Sequence, residues 1–111
     1  AANADVILAG HCGLSFTQIL ENRVVWHNAG AIGMPANDGT SDVWYSLLRP
    51  TEGGIDITHH RLAYDYCRAA TRMREEGLAE GYARALESGV WPSLDVLPPS
   101  ERAAAGQQMV F

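Results

Sequence analysis

Apolar positions come in short blocks broken by turn formers over the first sixty residues, and at helical spacing after Tyr64. Val6–Ala9 is a continuous apolar run, the pattern of a strand covered on both faces. Leu14–Leu20 and Val24–Asn28 read as the strands of a hairpin. With Leu20 and Arg23 flanking a two-residue turn, Phe16 pairs with His27 and Ser15 with Asn28. "NAGAIGMPANDGTS" is dense in Gly, Asn, Asp and Pro and reads as loop. Asp42–Leu48 and Ile55–Leu62 are the next strands, turned by "RPTEGG", with Ile55 and Ile57 on one face.

From Tyr64 the period changes. Tyr66, Ala69, Ala70 and Met73 form one apolar stripe, so a helix is predicted from about Asp65 to Glu76, with Asp65 as its cap and Gly77 as its stop. A second helix is predicted over Ala79–Ser88, with Tyr82 and Leu86 inward, a Glu80–Arg84 pair outward and Gly89 at its end. "WPSLDVLPP" is extended by its prolines and pinned by Trp91 and Leu94; "SERAAAG" adds one helical turn. The three tryptophans read as core or edge packing, and "RMREE" as a solvated helix face.

Candidate chemistry concentrates in "VILAGHCGLSF". Gly10 and His11 stand at the C-terminal end of an apolar strand, where layered α/β folds gather ligand sites. The glycine lets the backbone turn sharply, and the imidazole then projects from a rigid element. A histidine hydrogen-bonded at a strand end is the plain alternative. If the segment stays extended, Cys12 faces away from His11. His59 and His60 are neighbours on a strand, so their side chains diverge and do not share one ion.

Composition narrows the classes. The net charge is -5 and the eight basic residues are scattered, against a nucleic-acid backbone as partner. No apolar run approaches the about eighteen residues of a membrane span. Two distant cysteines, Cys12 and Cys67, make no disulfide framework or zinc pattern, which fits free thiols and a cytoplasmic setting. No signal-like segment opens the chain, which enters a strand almost at once, as though cut from a longer one.

The succession "GHCGLSF", hairpin, "NAGAIG", "VWYSLL", "ITHHRLAYD" and helix resembles the C-terminal part of the calcineurin-like metallophosphoesterase superfamily, bacterial and archaeal phosphodiesterase-like branch. There the order is Gly-His-Thr-His-x-Pro-Phe, hairpin, Asn-Pro-Gly-Ser-x-Gly, two strands ending near Tyr-Asp, and a helix. The resemblance covers nearly all of the chain. It implies an α+β fold, the C-terminal portion of a four-layer αββα sandwich, with residues 1–111 as part of one domain: strand-rich over 5–62, helical over 64–111. It also implies hydrolysis of phosphomono- or phosphodiesters with two divalent ions (Mn, Fe, Zn, Ni or Mg), whose bridging water becomes a nucleophile near neutral pH.

Carried over residue by residue, His11 matches the first histidine of Gly-His-x-His, a metal ligand, and Gly13 matches the second. Gly13 has no donor. Cys12, Asn28 and Gly30 are neighbours of the site, with Asn28 ranked above His27. Ser15 replaces the family's proline, and Ala31 its loop serine. The loop around Gly39 lies on the site's side and is expected to meet substrate; the helical tail is packing or an oligomer contact. The family's N-terminal ligand motifs are absent from this sequence. The expected partners are a phosphoester, the N-terminal part of the same domain and a second copy, with no membrane. Two other classes stay in view: a degenerate, non-catalytic relative with a regulatory or scaffolding role, and a small-molecule binding module using the glycine-rich loop.

Overall fold

The computed structural model describes residues 3–111. Five strands precede three helices: β1 (Val6–Ala9), β2 (Phe16–Ile19), β3 (Val25–Asn28), β4 (Val43–Thr51), β5 (Gly54–Leu62), α1 (Tyr66–Glu75), α2 (Glu80–Ser88) and α3 (Pro99–Ala103). The strands form two sheets, β1-β3-β2 and β4-β5. The chain is thus mixed α+β, as the hydrophobic pattern indicates. No helix of the described residues is long and apolar enough to cross a membrane.

The β2–β3 hairpin forms, in a different register from the one expected. Leu20 N–H donates to Val24 O and Arg23 N–H to Leu20 O, both at 2.9 Å, and Arg23 takes a φ of 64°. Glu21, Asn22 and Arg23 therefore make a three-residue loop whose last residue is left-handed, a common hairpin closure. The extra residue moves the pairing by one, to Phe16 with Asn28 and Thr17 with His27. β3 is the central strand, because β1 pairs parallel to it with Ala9 opposite Asn28.

β4 and β5 run longer than the sequence pattern suggests. Arg49, Pro50 and Thr51 stay in β4, and only Glu52 and Gly53 turn the chain. A two-stranded ribbon has free edges, which is where a strand tolerates proline.

α1 starts where Asp65 Oδ1 accepts the Arg68 N–H at 2.9 Å. It ends in a Schellman motif: Leu78 N–H reaches Met73 O, Gly77 N–H reaches Arg74 O, and Gly77 has φ 70°. The predicted stripe packs on α2, with Ala70, Ala83 and Leu86 buried and Ala69 and Met73 beside them. Tyr82 does not turn inward; it is 49% exposed. Glu80 does not pair with Arg84. Arg74, at the end of α1, reaches both Glu80 and Glu87 at 2.8 Å and takes that role. These charges are solvated, so the network orients the two helices more than it stabilises them.

The interior near the strand ends is polar. The largest fully buried side chains are His27, Asp38, Pro35 and Ser15. Asp38 Oδ1 accepts the Thr40 N–H at 3.1 Å and the Thr40 hydroxyl at 2.7 Å. That hydroxyl accepts from Arg61 at 2.7 Å, and Arg61 stands 3.5 Å from both Asp38 and Asp42. The Gly39 loop is therefore a packing device. A Cβ on Gly39 would sit 2.7 Å from Gly106 O, so Gly39 itself abuts the chain's last segment, while Ala36 and Asn37 of the same loop line the cleft described below.

Candidate metal-ligand cleft

β1 stops at Ala9, and the chain folds tightly around His11. Cys12 N–H donates to Gly10 O at 2.8 Å across a single residue, and His11 takes φ 69°. This is the rare hand of the γ-turn, costly for a residue with a side chain, and such strain collects at functional positions. His11 is exposed and lines an open cleft of about 1120 Å³, whose walls include Cys12, Phe16, Tyr82, Trp91 and Leu97. Cys12 shares the cleft with His11, contrary to the expectation for an extended segment, because residues 10–12 turn and strand alternation no longer applies.

Asn28 holds this turn to the next loop. Its Nδ2 donates to Gly10 O at 3.3 Å and its Oδ1 accepts the Gly30 N–H at 2.8 Å. It is 3% exposed, so its carboxamide is committed to backbone. Its place beside His11 comes through β1, not through pairing with Ser15. Gly30 has φ 98°, which requires glycine. The Ser15 hydroxyl donates to Ala29 O at 2.8 Å, drawing the hairpin onto the same loop.

No protein-family model and no curated protein matches the chain. A solved structure does. The chain superimposes on a metallophosphoesterase from Sphaerobacter thermophilus with a TM-score of 0.63 and 22% identity, over 80% of this chain and 44% of that one. The chain has the fold of part of a metallophosphoesterase. It spans less than half the length of the metallophosphoesterase it matches.

Set on a metallophosphoesterase fold, the ligand positions implied by the sequence separate. His11 presents an imidazole to the cleft. Gly13 presents nothing, and a Cβ there would overlap Trp91 Cζ2 and lie 3.0 Å from Cε2 and Cη2. The indole is anchored, with Nε1 donating to Pro35 O at 2.7 Å and the Trp91 N–H to Asn37 Oδ1 at 2.9 Å. Among the described residues, no three His, Cys, Asp or Glu side chains cluster to hold an ion. His11 is the one histidine lining the cleft among the described residues, with Cys12 and Glu101 in the same lining, so these residues do not fit the paired-histidine arrangement.

His27 lies away from the cleft, between the sheets. It is 1% exposed, and Thr17 Oγ1 bridges its Nδ1 at 2.8 Å to His59 Nε2 at 2.9 Å. His59 stacks on Phe111 with ring centroids 4.0 Å apart. His60 diverges as expected, stacking on Tyr45 and hydrogen-bonding Thr58. Burial holds the pKa of His27 below its usual 6.5, and burial followed by the nearby His27 and His60 does the same for His59.

An acid-side loss of stability follows. The unfolded chain takes up protons near pH 6.5, whereas the folded rings wait for a lower pH. The unfolded state therefore binds more protons in that window. Stability is full above pH 6.5 and falls as the pH drops below it, down to the folded rings' own lowered values. Melting temperatures from about pH 8 to about pH 5 should show this slope, and His27→Gln should reduce it. A flat profile in the wild type would contradict it.

Proposed function

We propose that this chain is the C-terminal portion of a four-layer αββα, metal-dependent phosphoesterase acting on phosphomono- or phosphodiesters, and that His11 is its contribution to the metal site. The observation carrying this reading is the strained turn at His11, tied by Asn28 and opening on the cleft of a metallophosphoesterase fold. The turn sets where the His11 side chain leaves the backbone, Asn28 ties the turn to Gly30, and Ser15 holds the loop behind them.

In the intact protein, His11→Ala should lower manganese affinity and hydrolysis of bis-p-nitrophenyl phosphate by at least about tenfold, with the melting temperature held or raised as the strained turn relaxes. Unchanged metal content and turnover would reject the assignment. A second reading, a non-catalytic relative that keeps the fold, draws on the indole packed at Gly13. Wild-type protein that binds manganese without any turnover would favour it.

A further inference from the structure

The structure assigns Trp91 a specific role: its indole occupies the space a second imidazole at residue 13 would need, so Gly13 and Trp91 form a locked pair that leaves His11 as the one histidine among the described residues of the cleft.

The pair is locked because the indole cannot yield cheaply. A β-carbon on residue 13 meets the indole ring itself, not the tip of a flexible chain. Turning the indole aside would break the Nε1–H bond to Pro35 O, and shifting its backbone would break the bond to Asn37 Oδ1. Pro35 and Asn37 are both buried, so those acceptors would be left without water. The glycine at a ligand position is thus more than a lost histidine. The space is filled, and an aromatic wall replaces a polar donor beside His11. The metal aspect of this inference rests on the function proposed above; the packing aspect does not.

A double-mutant cycle tests it in the intact protein, with Gly13→Ala, Gly13→His, Trp91→Ala and the two combinations. Gly13→Ala and Gly13→His should each lower the melting temperature with Trp91 present. Adding Trp91→Ala should remove most of that extra loss, giving strong positive coupling. In manganese titrations, Gly13→His alone should gain no affinity, whereas Gly13→His with Trp91→Ala should gain about tenfold or more. Additive melting temperatures, or tighter manganese binding by Gly13→His with the indole in place, would overturn the lock. Coupled stabilities without any manganese binding in any variant would leave the lock standing as a packing pair, overturn its bearing on the ligand count and reject the proposed function.

Discussion

Gly89→Ala should lower the unfolding free energy by roughly 3 kcal/mol. Two penalties coincide at this residue. Its φ is 70°, a left-handed conformation that alanine adopts only at a cost of about 1–2 kcal/mol. Its new methyl would also overlap the backbone N and O of Thr40. Backbone cannot rotate away as a side chain does, so either α2 or the Asp38–Thr40 loop must move. Moving the loop breaks the Gly39 N–H bond to Gly89 O and disturbs the Asp38–Thr40–Arg61 chain. Gly53→Ala is the control, because nothing lies within 4 Å of its Cβ position and its φ is not left-handed. Urea unfolding should separate the two variants clearly. Equal midpoints would mean that Gly89 and Thr40 do not meet.

Asp38→Ala should cost about 2–4 kcal/mol in the same measurement. The Asp38 side chain is fully buried, and the Arg61 side chain is 25% exposed. Removing the carboxylate strips the Thr40 N–H and hydroxyl of their acceptor and takes one of the two carboxylates from Arg61. Asp42 stays 3.5 Å from Arg61, which keeps the loss below that of a wholly orphaned buried charge. Asp38→Asn retains an acceptor for Thr40 and should lose clearly less. A loss under about 0.5 kcal/mol for the alanine variant would place Asp38 among ordinary surface residues and contradict its burial.

Where a side chain's place depends on near neighbours, the sequence announces it. The strands at 6–9, 43–48 and 55–62, the Asp65 cap, the Gly77 stop and the Ala70 stripe all follow from periodicity and turn chemistry. The hairpin register was hidden by Arg23, an arginine in the left-handed region where a reader looks for glycine or asparagine. His11 is legible as a strand-end histidine, but nothing in the sequence marks its γ-turn, so strand alternation misplaces Cys12. The expected hairpin register puts Asn28 opposite Ser15 on the side of Gly13, whereas its link to the turn runs through the parallel β1–β3 pairing. Trp91 at Gly13, and Asp38 beneath Arg61, join residues far apart in the chain. No local pattern carries such meetings; a glycine in a motif slot was the sole trace of the first.

Asn37 accepts the N–H of Trp91 through its side chain and the N–H of Gly106 through its carbonyl. During synthesis, Asn37 emerges 54 residues ahead of Trp91. At about 5–20 residues per second that interval is on the order of three to ten seconds, with Gly106 later still. Through that interval the γ-turn can form from its own neighbours, but the wall facing it does not yet exist. The order of translation therefore separates His11 from the wall it faces: His11 comes first, and the cleft takes shape when the segment carrying Trp91 and Leu97 arrives.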